Sequence, residues 1–91
     1  MPVLKVEQTS HMYYVYILIS QTDQTHRYVG YTTDLRQRLK THNSGNCLST
    51  AQLIPWELIA YFAFKDMNKA KSFEKYLKSH SGRIFAQKRL F

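Results

Sequence analysis

Cysteine is nearly absent from this chain, and prolines, glycines and acidic residues are few. The single cysteine, Cys47, excludes an internal disulfide and leaves no basis for a zinc site. Nothing in the sequence requires an oxidising compartment, so we expect a reducing cytoplasm. The chain has no low-complexity segment and no internal repeat, and its length of 91 residues predicts one domain with a single modest core.

Long apolar runs are also missing. No stretch approaches the ~20 residues that a membrane helix needs, so we expect no membrane association. The beginning of the chain lacks the charged start, apolar run and small-residue cleavage site of a signal peptide. Residues 1–11 show no clear periodicity, and we expect them to form a flexible arm or to be the remnant of a tag, followed by a domain over residues 12–91.

Basic residues, by contrast, are plentiful and unevenly placed. Thirteen Lys and Arg against six Asp and Glu give a net charge of +7, and most of the excess lies between Lys65 and Phe91. This distribution favours a surface that faces phosphates, although a merely solvated face is equally compatible with the charge alone. The basic residues that we assign to nucleic-acid binding are Arg36, Lys40, Lys71, Lys75, Lys78 and Arg83.

Local patterns predict an α+β fold in the order β-β-α-β-α(-α), with a small three-stranded antiparallel sheet flanked by helices. The first strand is apolar on both of its alternating faces and should be central in the sheet. Thr33 or Asp34 is predicted to cap the first helix and Asp66 the second, and Gly45 follows the end of the first. The predicted elements are strands at 13–20, 27–32 and 56–64, helices at about 35–43 and 67–79, a polar loop at 45–52, and a short last helix after an interruption at Ser81-Gly82.

Two side chains that can bind phosphate or move protons lie one turn apart on the first predicted helix. Arg38 and His42 fall in the same stripe as Leu35 and Leu39, which marks the buried face. An inward guanidinium needs a negative partner or a pocket, and a phosphate would be such a partner. Arg38 in a buried ion pair or snorkelling at an edge, and His42 capping helix carbonyls, are the alternatives without a function.

A carboxylate interrupts the apolar stripe of the second predicted helix. Glu74 projects among Ala70, Phe73 and Leu77, where a carboxylate is costly unless it is paired, protonated or bound to metal. Mg²⁺ is commonly held by one or two carboxylates together with waters and substrate phosphates. The alternative is a salt bridge between Glu74 and Arg38, which would satisfy both inward charges without any chemistry.

Two tyrosine-containing triads precede these residues, at 14–16 (Tyr-Val-Tyr) and 28–30 (Tyr-Val-Gly). Their order, with Arg38 ten residues after Tyr28 and Glu74 on a later helix, resembles the GIY-YIG nuclease family. The resemblance covers about residues 12–91 and is greatest to the small stand-alone bacterial branch, which is related to the N-terminal nuclease domain of the excision-repair incision subunit. Each triad alone is weakly specific, whereas the ordered set is specific.

The resemblance implies a metal-dependent DNA endonuclease that hydrolyses phosphodiester bonds, with structure-selective cleavage in repair or recombination as the corresponding role. Tyr28 would deprotonate the attacking water, Arg38 would stabilise the phosphoryl oxygens, and Glu74 would hold one Mg²⁺ or Mn²⁺. Tyr16 would orient Tyr28 or touch the phosphate, and His42 would hydrogen-bond or shuttle a proton. No small-molecule cofactor is implied.

The chain departs from larger relatives because no separate DNA-binding domain accompanies the nuclease module. The implied partner is DNA, with RNA as another possible substrate, and a partner protein or homodimer could supply further grip. Two other hypotheses remain: a non-catalytic nucleic-acid-binding module with the same fold, and a small interaction protein whose triads only build the core. Convergence of Tyr16, Tyr28, Arg38 and Glu74 on one cleft would favour the enzyme, whereas their failure to converge would overturn it.

Overall fold

The computed structural model describes residues 11–91, and its element order confirms the predicted α+β fold. Except for His11, the predicted N-terminal arm lies outside the described residues. None of the helices in this part of the chain combines the length and hydrophobicity needed to cross a bilayer. The elements are β1 (Tyr13–Ser20), β2 (Arg27–Thr32), α1 (Leu35–Asn43), a 3₁₀ turn (Ala51–Leu53), β3 (Trp56–Phe64), α2 (Met67–Lys78) and α3 (His80–Arg89).

The three strands form one antiparallel sheet in the order β2-β1-β3. Strand β1 is therefore central, as its apolar residues on both faces predict, and residues 15–18 are all buried. The register places Tyr16 of β1 opposite Gly30 of β2 and Tyr61 of β3. This pairing puts the two tyrosine-containing triads side by side in the sheet.

Each face of the sheet carries its own apolar cluster, because side chains alternate along β1. On one face, Val15 and Ile17 pack with Ala70, Leu77 and Ala86 of the two C-terminal helices. The other face carries the second cluster, whose buried members are Tyr16, Leu18 and Trp56 and whose partly buried neighbours include Tyr28, Leu35 and Leu39. Helix α1 therefore lies on the face that carries Tyr16 and Tyr28.

Of the two residues predicted as possible caps of the first helix, Asp34 is the N-cap, and the predicted cap of the second helix, Asp66, is confirmed. The Asp34 carboxylate accepts a hydrogen bond from the Gln37 backbone N–H at 3.0 Å, and that of Asp66 accepts one from Asn68 at 2.9 Å. Capping in this way satisfies backbone donors that the first helical turn leaves free. Gly45 follows the end of α1 with a φ of 82°, a conformation that glycine adopts without steric cost.

The interruption predicted at Ser81-Gly82 is wrong in its position, because both residues lie inside α3. The break falls at Ser79, whose hydroxyl accepts a hydrogen bond from the Gly82 backbone N–H at 3.1 Å and so caps α3. A β-carbon on residue 82 would collide with the Tyr76 carbonyl oxygen. Gly82 therefore allows α3 to pack closely against the end of α2, which is a packing role and not a breaking role.

The predicted polar loop at 45–52 overlaps the 3₁₀ turn Ala51–Leu53 and is tied to the start of β3. The Asn43 side chain accepts a hydrogen bond from the Trp56 backbone N–H at 2.6 Å and donates one to the Trp56 carbonyl at 3.0 Å. The indole Nε1–H of Trp56 donates to the Thr50 carbonyl at 2.9 Å. These contacts hold the loop against the face of the sheet that carries the tyrosines.

Candidate active site

Tyr16 and Gly30 interlock across the β1–β2 pair. The Tyr16 side chain is 1% exposed, and its ring and hydroxyl occupy the space that a β-carbon on residue 30 would require. Only glycine leaves that space free. The glycine that ends the second triad thus makes room for the tyrosine that ends the first, and this contact gives the paired motif a steric reason.

A continuous set of hydrogen bonds runs through the buried part of this region. The Tyr16 hydroxyl lies 2.8 Å from Nε2 of His42, and Nδ1 of His42 lies 2.9 Å from Oγ1 of Thr50. The Thr50 hydroxyl is also 3.3 Å from the Cys47 carbonyl, and Nε of Arg38 donates to the Tyr16 hydroxyl at 3.3 Å. His42 and Thr50 are 0% and 1% exposed, so water is excluded from this chain of groups.

Counting donors assigns a direction to these hydrogen bonds. A carbonyl can only accept, so the Thr50 hydroxyl donates to Cys47 and accepts from Nδ1–H of His42. Nε2 of His42 then accepts the Tyr16 proton, and the Tyr16 oxygen is left to accept from Arg38. In the other imidazole tautomer, the buried Tyr16 proton would lack a partner in this set. We therefore assign the Nδ1–H tautomer to His42, on the basis of its hydrogen-bonding partners.

The protonation states expected at neutral pH agree with this direction. Burial raises the pKa of Tyr16 to about 12, so that its hydroxyl keeps its proton. Burial, followed by the nearby Arg38 charge, lowers the pKa of His42 below its ordinary value, which favours the neutral ring. A protonated phenol that donates to a neutral imidazole is thus the stable pair, and neither group faces water as a free acid or base.

Tyr28 lies at the open side of the same group. Its ring centroid is 4.8 Å from that of His42 and 6.2 Å from that of Tyr16, and its side chain is only partly buried. The hydrogen bond from Arg38 to Tyr16 is the main cause that raises the pKa of Arg38, and the nearby Tyr28 phenol acts in the same direction. The guanidinium therefore neighbours both phenols, and the structure brings together Tyr16, Tyr28, Arg38 and His42.

The contacts of Arg38 and His42 differ from the alternatives without a function that the sequence left open for these two residues. Arg38 is half-buried, but its hydrogen-bonding partner is the Tyr16 phenol and not a carboxylate. His42 lies near the helix end, yet its ring bonds Tyr16 and Thr50 and caps no carbonyl among the described residues. Both side chains are committed to one polar cluster on the tyrosine face of the sheet.

Glu74 is not bonded to this cluster. Its carboxylate pairs with Lys78 at 2.9 Å, so the expected alternative of a salt bridge with Arg38 is wrong. Within residues 11–91, no hydrogen bond or ion pair connects Glu74 to Tyr16, Tyr28, Arg38 or His42. The Glu74 side chain is 23% exposed and therefore remains accessible from solvent.

In the described part of the chain, no three His, Cys, Asp or Glu side chains lie close enough together to coordinate a metal ion. Glu74 alone fits a different kind of site, in which one carboxylate shares Mg²⁺ with waters and substrate phosphates. The donor set therefore suits a hard cation that arrives together with a phosphate, and it does not suit a structural metal.

The basic residues assigned to nucleic-acid binding are all exposed. They lie on all three helices, and Lys71 also lies over the ring of Tyr31, with its Nζ 5.2 Å from the ring centroid. Exposure makes these side chains available to phosphates, and whether they bind nucleic acid remains a prediction.

Thr50 is the functional residue that the sequence did not single out. It follows no periodic pattern and lies in a loop, where a buried threonine has no distinctive signature. Its importance comes from the contact with His42, which only the folded chain creates. Cys47 was likewise interpreted only through the absence of a disulfide, yet its carbonyl ends the hydrogen-bonded set.

The buried His42 should make folding stability depend on pH in the neutral range. Because the pKa of His42 is lowered in the folded state, there is a pH range in which this side chain binds a proton in the unfolded chain but not in the folded one. The contribution of His42 is therefore complete above the unfolded pKa of about 6.5 and is lost as pH falls through the lowered folded pKa. We expect urea denaturation to give a smaller free energy of unfolding at pH about 5.5 than at pH about 7.5.

A histidine on the surface supplies the control for this dependence. His26 is exposed and lies 3.0 Å from Asp23, so His26→Gln should preserve the difference between the two pH values. His42→Gln should be less stable at both values and should lose most of the difference. Equal stability of the original protein at both pH values would contradict the buried neutral imidazole.

Comparisons with known proteins agree with this geometry. A family model described as the GIY-YIG catalytic domain matches residues 12–89. The chain is 42% identical over 69 residues to the UPF0213 protein YsiG of Lactococcus lactis subsp. lactis, covering 75% of this chain and 64% of that protein. It is 38% identical over 76 residues to UPF0213 proteins of Streptococcus pyogenes, covering 82% of this chain and 80% of each relative. The match thus spans just under two thirds of the Lactococcus protein.

A solved structure shows the same fold. The solution NMR structure of a UPF0213 protein from Bacillus halodurans aligns with a TM-score of 0.51 at 36% sequence identity, covering 84% of this chain and 80% of the other. The names of these bacterial relatives state no activity, whereas the matched family model is described as a catalytic domain. On the matched domain and the shared fold, this chain belongs to the GIY-YIG nuclease superfamily.

Proposed function

We propose that this protein is a metal-dependent DNA endonuclease that hydrolyses phosphodiester bonds. The observation that carries the proposal is the meeting of Tyr16, Tyr28 and Arg38, together with His42, on one face of the sheet, whereas Glu74 lies on α2 and has no hydrogen bond or ion pair with them. A tyrosine that has first lost its own proton to solvent can accept one from water as a phenolate, and the neighbouring guanidinium supplies a cation for a phosphoryl group. The membership of a catalytic-domain family supports the same conclusion.

The contacts favour different roles for Tyr16 and Tyr28. Tyr16 is buried, and its proton is held by His42, so it is poorly placed to activate a water. Tyr28 is only partly buried and neighbours the guanidinium, and we assign the removal of the proton from the attacking water to this residue. Thr50 and His42 would act as positioning residues that hold Tyr16 in place.

Arg38 is suited to hold the phosphate. Its Nε–H is directed to Tyr16, which fixes the plane of the guanidinium and leaves further N–H groups for phosphoryl oxygens. Because charge accumulates on these oxygens during in-line displacement, a fixed cation would stabilise the transition state more than the ground state.

Glu74 would hold Mg²⁺ or Mn²⁺, which, when bound, supplies positive charge at the leaving oxygen. The present partner of the carboxylate, Lys78, is one turn away and largely exposed. Such pairs contribute only about 0.3–0.5 kcal/mol, so Lys78 would be a weak competitor for the carboxylate. The ability of Glu74 to accept a cation is therefore compatible with its present ion pair.

The test is cleavage of labelled linear, single-stranded, flap and branched DNA with Mg²⁺, with Mn²⁺ and with chelator. We expect metal-dependent nicking that Tyr28→Phe and Glu74→Gln each reduce by roughly a hundredfold or more, without loss of the folded state. Glu57 is an exposed carboxylate on β3, so Glu57→Gln is the matched control and should cleave normally. Equal cleavage by Glu74→Gln and the original protein would overturn the metal assignment.

A non-catalytic nucleic-acid-binding module is the second candidate, and the Glu74–Lys78 pair favours it. A carboxylate occupied by a neighbouring lysine needs no metal to be satisfied. This candidate predicts salt-sensitive DNA binding that Glu74→Gln does not weaken, with no cleavage of any of these substrates under any metal condition. The same substrates therefore distinguish the two functions.

A further inference from the structure

A cleft of about 510 Å³ lies on the opposite side of β2 from α1, between that strand and helices α2 and α3. Its apolar lining includes Val29, which is partly exposed, and Phe91, which is 43% exposed, over Ile17, Leu77 and Ala86, which are buried in the core cluster of that face. The volume falls within the roughly 300–1,000 Å³ that is usual for small-ligand pockets. The cleft is therefore large enough for a flat organic group to enter.

Positive charges surround these apolar walls. Arg27, Lys78 and Arg83 line the cleft, of which Lys78 also pairs with Glu74 at 2.9 Å, and no Asp or Glu is among the lining residues in the described part of the chain. The Arg27 guanidinium lies 4.0 Å from the ring centroid of Phe91, so that one stretch of the wall is an arginine stacked on an aromatic ring. An apolar interior with cations at its border suits a ligand that is both flat and anionic.

The cleft and the candidate active site lie on opposite faces of the edge strand β2, and Tyr28 is the residue common to both. This residue lines the cleft and also packs against His42. Neighbouring residues Arg27 and Val29 on the same strand line the cleft as well. Because β2 is an edge strand, a nucleic-acid strand with a phosphate beside Tyr28 would have to pass around this edge to present an adjacent nucleotide to the cleft.

We propose that the cleft binds one unpaired nucleotide of a DNA strand, with its base against the apolar walls and its flanking phosphates on Arg27, Lys78 and Arg83. A base within a duplex is stacked and paired and would have to leave the helix to enter. The cleft thus selects DNA that contains single-stranded or unpaired nucleotides next to the bond to be cut. The position of this nucleotide beside the cleaved bond rests on the proposed function, whereas binding of the base in the cleft does not.

The experiment compares a short labelled oligothymidylate with an abasic oligomer of the same length and charge, by fluorescence anisotropy in chelator and low salt. We expect the oligothymidylate to bind roughly five- to a hundredfold more tightly, as is typical when a base stacks in a protein site. Equal affinities for the two oligomers, or no binding of either, would overturn the proposal. Chelator removes metal-dependent cleavage, so the result does not depend on catalysis.

Variants on the surface of α3 identify the cleft as the site. Gln87 is exposed and lines the cleft, so Gln87→Phe should fill it and abolish the preference for the oligothymidylate without altering the net charge. Arg83→Gln should weaken binding of both oligomers and reduce the salt dependence. Arg89→Gln removes the same charge from the same helix outside the cleft lining and should leave the base preference unchanged. Retention of the full preference by Gln87→Phe would place the base elsewhere.

Cleavage assays with Mg²⁺ separate this inference from the proposed function. A base preference that depends on the cleft, in a protein that cuts no DNA, would support the nucleotide site and overturn the endonuclease. Cleavage that depends on Tyr28 and Glu74, with equal binding of the two oligomers, would support the endonuclease and overturn the nucleotide site.

Discussion

Replacing Arg38 by Gln is expected to lower DNA cleavage by roughly a hundred- to a thousandfold, the usual loss when one transition-state donor is removed. The reason is geometric as well as electrostatic. The guanidinium is held by the Tyr16 hydroxyl at 3.3 Å and also neighbours Tyr28, so both the phosphate contact and the environment of the base would change. The rate of a single turnover with excess protein and Mg²⁺ measures this effect.

Two further substitutions make the result specific. Arg38→Lys keeps the charge but loses the planar fork, and we expect it to remain well below the original protein. Arg89→Gln removes an exposed arginine from the end of α3 and should cleave normally. If Arg38→Gln folds and cleaves within a few-fold of the original rate, Arg38 does not stabilise the transition state.

Gly30→Ala should give a large loss of stability, of about 1–3 kcal/mol or more. The added methyl group would overlap the ring and hydroxyl of Tyr16, which is 1% exposed in the centre of the sheet. Total stabilities of small domains are only about 5–15 kcal/mol, so this loss is a substantial fraction. The midpoint and slope of urea denaturation, followed by circular dichroism, provide the measurement.

A second glycine and a double variant separate the overlap from the general effect of losing a glycine. Gly45 has a φ of 82° and no atom within 4 Å of a built β-carbon, so Gly45→Ala should cost only the backbone strain, about 1 kcal/mol. Combining Gly30→Ala with Tyr16→Leu removes the overlapping ring atoms, and the double variant should be more stable than the sum of the two single losses predicts. A Gly30→Ala protein within about 0.5 kcal/mol of the original would show that Tyr16 and Gly30 do not interlock.

Much of the fold could be predicted because local signals and tertiary packing agree. Aromatic and β-branched residues gave all three strands with their observed bounds, and Asp34 and Asp66 gave the starts of two helices. Periodicity is sufficient for these elements, since each depends on residues a few positions apart. The family resemblance of the triads, with Arg38 and His42 in the buried stripe of α1, indicated that Tyr16, Tyr28 and Arg38 would meet, whereas Glu74, expected in the same cleft, has no hydrogen bond or ion pair with them.

The remaining features depend on contacts between distant parts of the chain. Thr50 reaches His42 only because Trp56 and Asn43 hold the loop in place, and no sequence pattern within the loop predicts this contact. The partner of Glu74 was predicted wrongly because helical angles locate a stripe but do not choose between Arg38 on another element and Lys78 one turn away. The break between α2 and α3 was misplaced because Ser79 and Gly82 act together, one as a cap and the other as a close-packing residue.

The sheet order also has a dynamic consequence for the candidate site. Tyr16 belongs to β1, which is bonded to a strand on each side, whereas Tyr28 belongs to β2 at the edge. An edge strand can open locally at a lower free energy than a central one, because fewer contacts must break. Local opening of β2 would therefore displace Tyr28 and one side of the cleft while the Tyr16–His42–Thr50 group stays in place. The site thus combines a rigid platform with a side that can move as a DNA strand enters or leaves.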